Sequence, residues 1–422
     1  MSFHKSLISK IKNNQRNEVY ILLHQLIPEN SYIMTELKKN HLDLILSFLS
    51  SEENPEIIVN YFNIILELYK KREWSLDPSS YSLIIRILAY LHRFDEAFMY
   101  LNQIENNKII VKNRMIAPFF EKIVDYDILY NLYQKYHNIM LEQEYYYLLK
   151  LNPTNKELII DIFEKWIDND FIITKPDLLT ILVSNFNTMK MNPFYNNYNA
   201  ICNICEQKIT KQHLEIDDRI KLKNELLNAH PNSQKNLMIF QESLNKTIVN
   251  YEIVSDNIYI IDGGNVGHSI GGEFTFNPII KIINLLKDSV VNKPFLIILV
   301  LHQKHIKKYK KEIANLDNNI IVYKTPYNEN DDIYWMFASF ICSDNFIITN
   351  DQLRDHHVNK LDEKLFKRWK SNTLITYDLE QLYFPIKYSV CIQKSKLGYH
   401  IPFINNDLLE WYCLDNLNDD IV

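Results

Sequence analysis

The sequence predicts a multidomain chain of three parts. An all-α helical superhelix occupies residues 1–190, a small zinc-binding connector is split between 191–250 and 385–422, and an α/β domain with a parallel, Rossmann-like sheet spans 251–384. Three observations support this division. All six glycines lie at or after Gly263, short apolar runs alternate with helical stretches from about residue 257 onward, and Cys202-Asn203-Ile204-Cys205 has metal-ligand spacing.

A β-rich domain of 262 residues without a glycine for its turns is improbable, so the first part is helical. Apolar residues recur there at spacings of three and four, as in Tyr81, Ile84, Ile85, Leu88 and Leu91, then Phe94, Ala97, Phe98, Leu101 and Ile104. Asp77-Pro78-Ser79-Ser80 supplies a capped start with proline in the first turn, and His92-Arg93-Phe94-Asp95-Glu96-Ala97 turns the chain into a second helix. Helix pairs follow in steps of about 35 residues, near Leu42, Asp77, Lys112 and, less regularly, Gln143 to Phe171, which means stacked hairpins with one concave face. The segment from Ser80-Tyr81-Ser82 through Phe94-Asp95-Glu96-Ala97-Phe98 resembles the pentatricopeptide repeat. That resemblance implies an RNA-binding groove and places Tyr81 among its substrate-binding residues. Asn106-Asn107-Lys108 stands where the repeat usually has glycine, and asparagine tolerates the left-handed conformation needed there. On periodicity alone, protein-binding tetratricopeptide-like repeats fit as well.

In the connector, the two-residue spacing of Cys202 and Cys205 lets both thiolates reach one tetrahedral ion. One such pair is half a site. His400 and Cys413 near the C-terminus would complete a closed, structural Cys₃His zinc set. The spacing equally allows Cys202 and Cys205 to be ordinary helix residues and Cys413 a packed thiol. Cys342 and Cys391 fall within apolar patterns and read as core residues.

In the α/β part, the predicted strands are Ile258 to Ile261, Phe295 to Leu301, Ile320 to Tyr323, Phe346 to Thr349 and Thr373 to Tyr377. Ligands of such sheets bind beyond the carboxyl ends of the strands. Asp262 ends the first strand, Asp351 ends the fourth, and Asp331 and Asp332 open a helix, Asp332 to Cys342, after the third. Carboxylates gathered in this way repel one another unless a cation neutralises them, and hard oxygen donors favour Mg²⁺ or Mn²⁺ over zinc. Any one of these aspartates would also serve as a helix cap or loop residue. The glycines of Asp262-Gly263-Gly264-Asn265-Val266-Gly267 do not follow the dinucleotide-binding spacing, and Asp262 would repel a pyrophosphate.

The composition, 47% hydrophobic and 23% charged, is that of a soluble globular protein. A net charge of −6 excludes nucleic-acid binding by bulk electrostatics, so positive charge must be local. It is concentrated in Lys304, Lys307, Lys308, Lys310 and Lys311, with His302 and His305 interleaved, and in Arg354, Lys360, Lys364, Lys367, Arg368 and Lys370. No stretch is long and apolar enough to span a bilayer, so no membrane partner is expected. The basic, acid-free first residues are only mildly like a mitochondrial presequence, and five cysteines point to a reducing intracellular compartment. Nucleus or cytoplasm is favoured over the mitochondrion.

Four motifs stand out: Tyr259-Ile260-Ile261-Asp262-Gly263-Gly264-Asn265-Val266, Asn330-Asp331-Asp332-Ile333-Tyr334-Trp335, Thr349-Asn350-Asp351-Gln352-Leu353-Arg354-Asp355-His356 and Phe366-Lys367-Arg368-Trp369. Through them nearly the whole chain resembles proteinaceous RNase P. The resemblance implies an NYN/PIN-like metallonuclease with Asp262, Asp331, Asp332 and Asp351 as Mg²⁺ (or Mn²⁺) ligands, and Cys202, Cys205, His400 and Cys413 as Zn²⁺ ligands. Asp355 and His356 join the catalytic set, and Arg354, with Lys307 and Lys308 of the basic stretch, would hold substrate. Two departures stand out: Gly264 replaces the family's usual alanine, and Gln352 replaces a glutamate, removing a charge near the metals. The implied activity is removal of the 5′ leader of precursor tRNA, leaving a 5′ phosphate and a 3′ hydroxyl, by a monomer with no obligatory RNA subunit. The rivals are an RNA-binding pentatricopeptide protein with an inactive or differently targeted nuclease domain, and a protein-interaction scaffold.

Overall fold

The structure, a computed structural model, describes residues 3–13, 15–24, 38–52, 54–191, 200–250, 258–290, 294–342, 345–353 and 360–415. The chain divides into two compact units, residues 1–189 with 402–422, and residues 190–401.

The first unit is built from helices α1 (Phe3–Lys12), α2 (Arg16–His24), α3 (Lys39–Leu49), α4 (Pro55–Lys71), α5 (Pro78–Tyr90), α6 (Phe94–Asn106), α7 (Asn113–Lys122), α8 (Tyr126–Tyr136), α9 (Glu142–Leu151), α10 (Lys156–Asp168) and α11 (Pro176–Val183). Local chemistry sets several starts. The Asp77 carboxylate accepts from the N–H groups of Ser79 and Ser80, and Asn54, Asp125 and Asn155 cap α4, α8 and α10 in the same way. Successive hairpins stack through apolar stripes, with Ile84, Ile85, Leu88, Ile104 and Phe119 fully buried. The stacking repeats along the chain, since Arg114 donates to the Ser79 hydroxyl across one repeat step (3.3 Å).

The turns closing α4 and α6 are built alike. Glu73 and Lys108 both have left-handed backbones, with φ of 51° and 57°. At the second of these turns the Lys108 N–H donates to the Glu105 carbonyl (2.8 Å) and the Ile109 N–H to the Ile104 carbonyl (2.9 Å), satisfying carbonyls that the helix end leaves open. The left-handed residue is thus Lys108 rather than Asn107, whose φ is −82°. Tyr81, assigned by sequence to substrate binding, is 5% exposed, packs edge-on against Tyr100 and accepts a hydrogen bond from Asn107. Its side chain belongs to the repeat core, and the substrate assignment is corrected.

The glycine-free region is not wholly helical. Strand β1 (Asn187–Met191) lies within it, in a four-stranded sheet of order β1-β10-β9-β8 with β8 (Gln393–Lys394), β9 (Gly398–Asn405) and β10 (Leu408–Asp415). Asn406 and Asp407, both at positive φ, make the tight turn between β9 and β10, which is how this sheet forms without glycine there.

The second unit carries a six-stranded sheet of order β4-β3-β2-β5-β6-β7, from β2 (Ile258–Asp262), β3 (Leu296–His302), β4 (Ile320–Thr325), β5 (Asn345–Ile348), β6 (Leu374–Tyr377) and β7 (Leu382–Tyr383). Five strands run parallel, as expected; the edge strand β7 is antiparallel, so the sheet is mixed. Side chains of β2 alternate between two cores. Ile258 and Ile260 face α12 (Ile216–Ala229), α13 (Gln234–Asn250), α18 (Asp331–Ile341) and α19 (Glu363–Thr373), while Tyr259 and Ile261 face α15 (Asn277–Ser289). α12 and α13, given by sequence to the connector, contribute Leu222, Leu226, Leu237 and Phe240 to the sheet's own core. Short helices α14 (Gly263–Gly267), α16 (Gln303–Lys308) and α17 (Lys310–Ala314) follow β2 and β3. A Cβ on Gly263 would lie 2.6 Å from the Val300 carbonyl oxygen, so only glycine allows α14 to start against β3.

Lysine in a left-handed conformation costs stability that glycine would not. Lys108→Gly should therefore raise the stability of the helical unit by about 1 kcal/mol, read as a higher denaturant midpoint by circular dichroism; no change would remove the strain from that turn.

Candidate active site

The strand order reverses beside β2, whose neighbours β3 and β5 lead the chain away in opposite directions. A crevice opens at such a point beyond the carboxyl ends of the strands. Here it is a cleft of about 510 Å³ lined by Asp262, Asp331, Asp332 and Asp351, with Asn265, Asn330, Asn350, Tyr377, His268, Lys304 and His305 among the other lining residues. The four aspartates placed at strand ends by sequence therefore share one cleft.

Three of the carboxylates are aimed by the backbone or a neighbouring side chain. Asp262, 2% exposed at the end of β2, accepts from the Asn265 N–H (3.0 Å) through one oxygen and from the Thr349 hydroxyl (2.9 Å) through the other. Asp332 accepts from the Trp335 indole N–H (3.2 Å), and Asp351 from the Leu353 N–H (2.7 Å). Asn330 caps α18 by accepting from the Asp332 N–H (3.0 Å). A Cβ on Gly264 would fall 2.9 Å from a carboxylate oxygen of Asp331, so the absence of a side chain leaves that carboxylate its place.

Burial pushes the Asp262 carboxyl up to about 7, and the charges of Asp332 and Asp331 push in the same direction. Asp332 is raised too, by burial first and then by Asp331 and Asp351. A buried all-oxygen donor set of like charges is what a hard divalent cation stabilises. Among the described residues the closely gathered set of metal-ligating atoms is a Cys/His cluster and not these carboxylates. They face a cleft instead, which suits Mg²⁺, an ion that keeps several waters and takes one or two carboxylates directly.

Sequence reading quoted Asn265, Thr349 and Asn350 within motifs but gave them no role, and it missed Tyr377. They form one network. The Asn265 side-chain oxygen accepts from the Asn350 N–H (2.9 Å) and the Tyr377 hydroxyl (2.9 Å), and Asn350 bonds the Tyr377 backbone in both directions. The signal was available: amides beside acidic strand ends are the side chains that tie such loops together. Arg354, Asp355 and His356 lie outside the described residues. Lys307 and Lys308 are exposed on α16 beyond the cleft lining. Gln352, which follows Asp351, is exposed, and its carbonyl accepts from the Lys370 ammonium (2.7 Å).

The ligand atoms of Cys202, Cys205, His400 and Cys413 all lie within 4.8 Å of one another. Cys202, His400 and Cys413 are buried, and the Cys205 Sγ lies 3.2 Å from the His400 Nε2. A tight turn aims the first pair, with the Glu206 N–H donating to the Cys202 carbonyl (3.0 Å) and the Cys202 N–H to the Gln207 carbonyl (2.9 Å). This donor set fits a structural zinc ion, tetrahedral with three thiolates and one imidazole.

A family model described as protein-only RNase P matches residues 197–415. The chain belongs to the protein-only RNase P family. Proteinaceous RNase P 3 of Arabidopsis thaliana is 28% identical over 176 residues, covering 37% of this chain and 30% of that protein. Proteinaceous RNase P 1, chloroplastic/mitochondrial, of the same plant is 30% identical over 171 residues, covering 36% of this chain and 30% of its own length. The matched region thus spans under a third of these relatives. In structure, the chain resembles nuclear proteinaceous RNase P 2 of Arabidopsis thaliana with a TM-score of 0.68 at 18% identity, covering 98% of each chain. The likeness extends the shared fold of this protein-only RNase P relative over both units. No described helix is long and apolar enough to cross a membrane.

A carboxyl raised from 3.8 to about 7 is protonated in the folded protein, and charged in the unfolded chain, between those two pH values. Its stabilising effect is full below about pH 4 and is lost as pH rises through about 7. Asp262→Asn mimics the protonated form. In chelator, wild type should therefore lose melting temperature relative to Asp262→Asn between pH 5 and pH 8, and Mg²⁺ at pH 8 should restore wild type alone. Parallel melting curves would sink this account. At the second site, Cys205→Ser should strip zinc from the purified protein, measured by elemental analysis; unchanged zinc content would exclude Cys205 as a ligand.

Proposed function

We propose that the chain is an endoribonuclease that removes the 5′ leader of precursor tRNA by divalent-metal-dependent hydrolysis, leaving a 5′ phosphate on the tRNA and a 3′ hydroxyl on the leader. Membership of the protein-only RNase P family supports the substrate. The observation that carries the chemistry is the raised, buried carboxyl of Asp262 beside Asp331, Asp332 and Asp351 in one cleft.

Asp262, Asp332 and Asp351 would hold the cation directly or through water, with Asp331 alongside. When bound, that cation supplies a more acidic water and offsets charge developing on the phosphate. The chain's own contribution is to fix where this happens. Thr349, the Asn265 N–H and the Trp335 indole orient carboxylate oxygens, and the Asn265–Asn350–Tyr377 network holds together the loops after β2, β5 and β6. A fold of packed helical hairpins supports RNA recognition by shape and backbone rather than by sequence. With its family name, the chain is also inferred to act without an RNA subunit.

A 5′-labelled precursor tRNA incubated with Mg²⁺ tests the reading. Wild type should release the intact leader with a 3′ hydroxyl. Asp331→Ala and Asp332→Ala should each lower the rate by roughly 10²-fold or more, the scale seen when one electrostatic group is removed from a preorganised site. Binding of the same tRNA without cleavage by wild type would favour instead an RNA-binding protein with an inactive nuclease domain.

A further inference from the structure

The cleft lining is chemically mixed: besides Asp262, Asp331, Asp332 and Asp351 it includes His268, Lys304 and His305. His305 is 8% exposed and stacks on Phe274 with ring centroids 3.6 Å apart. Burial, helped by the positive charges of Lys304 and its neighbours, pushes it down to about 4, so at neutral pH it is an uncharged part of the lining. Among the described lining residues the fixed positive charge is that of Lys304.

Beyond this lining, in the loop between β4 and Asn330, stands Tyr327. It is 53% exposed, unusual for an aromatic ring with no core to join. Two neighbours hold it. His302 meets it edge-on at 5.9 Å and 87°, and the Lys307 ammonium sits over the ring at 5.4 Å from its centroid. His302 is itself fixed, accepting through Nδ1 from the Lys304 N–H (3.2 Å), and its ring is 6.4 Å from that of His305. A path of adjacent rings thus leads from the cleft lining, where Lys304 stands, to an exposed aromatic with the Lys307 ammonium over its ring, the pattern of a stacking platform for single-stranded nucleic acid.

We propose that Tyr327, with Lys304 and Lys307, forms a binding subsite for one unpaired ribonucleotide beside the scissile phosphate, its base stacked on Tyr327 and its flanking phosphates facing the two lysines. The subsite rests on the reading of the cleft as a nuclease site. Its occupant is the last nucleotide of the leader. A nucleotide paired in the acceptor stem already has both faces stacked, whereas the leader nucleotide is free to turn its base onto a side chain. Lys304 offsets the repulsion that an RNA phosphate meets from the carboxylates lining the same cleft, which explains how an acidic chain brings a polyanion to four carboxylates.

Stacking can be read without catalysis. A precursor tRNA carrying 2-aminopurine as its last leader nucleotide, bound in Ca²⁺ or chelator, should lose fluorescence on wild type and Tyr327→Phe and keep it on Tyr327→Ala. In single-turnover cleavage with Mg²⁺, Tyr327→Ala should slow the reaction about tenfold on the normal substrate, within the range for loss of one stacked base. It should have little effect when that nucleotide is abasic. Lys304→Ala and Lys307→Ala should each lower the slope of log affinity against log salt by about 0.7, the increment for one single-strand phosphate contact. Equal quenching by wild type and Tyr327→Ala, or equal slowing on normal and abasic substrates, would overturn the subsite while leaving the nuclease reading intact. Quenching without cleavage by wild type would sustain the subsite and count against the nuclease reading.

Discussion

The burial of the Asp262 carboxyl at the point where the strand order reverses is the constraint on which the second unit depends. A carboxylate 2% exposed would ordinarily be expelled or neutralised. Here the sheet cannot expel it, because β2 is paired on both sides along Ile258–Ile261 and ends at Asp262 itself. The surroundings respond by supplying donors from the next turn, Asn265, and from the neighbouring strand end, Thr349. Those same residues lead on to Asn350 and Tyr377, so the loops at the mouth of the cleft are tied together by the need to satisfy one buried acid.

Much of this was legible in sequence because it follows from period and position. A fully buried parallel strand reads as a continuous apolar run, and the five runs correspond to β2 through β6 within a residue or two at most ends. An aspartate after such a run can only sit at the carboxyl edge. That is why Asp262, Asp331, Asp332 and Asp351 were placed in one cleft without knowledge of any contact. The Cys202, Cys205, His400 and Cys413 cluster was half visible. The close pair declares itself by spacing, but its partners nearly two hundred residues away were named by family resemblance, since a tertiary meeting leaves no local signature.

What could not be read was chosen by packing or by backbone closure. Helix α12 offers Leu222 and Leu226 on one stripe, a pattern that shows a buried face without naming what buries it. The helix thus passed for connector when it belongs to the sheet's core. Tyr81 was placed in a substrate groove because the repeat resemblance identifies a hairpin but not which face each aromatic takes; packing against Tyr100 decided it. At Lys108 the expectation looked for the residue type that best tolerates a left-handed backbone. The helix end instead requires that conformation at a fixed position after its last turn, whatever residue stands there.

Under the proposed function, separation of charge within the second unit would let net acidity and a polyanionic substrate coexist. The carboxylates are recessed and partly neutralised, since burial and mutual repulsion hold Asp262 and Asp332 toward their protonated forms. Lys304, Lys307 and Lys308 are exposed on α16, where long side chains keep their charge in water. Neutral groups, Asn265, Asn330, Asn350 and the uncharged His305, line the same cleft and place polar contacts there without adding charge. On the proposed reading an anionic strand would meet positive charge first, and negative charge only in the presence of the cation that compensates it. Productive approach would then depend on metal as well as on the chain, because the carboxylates that would hold the cation would also repel substrate in its absence.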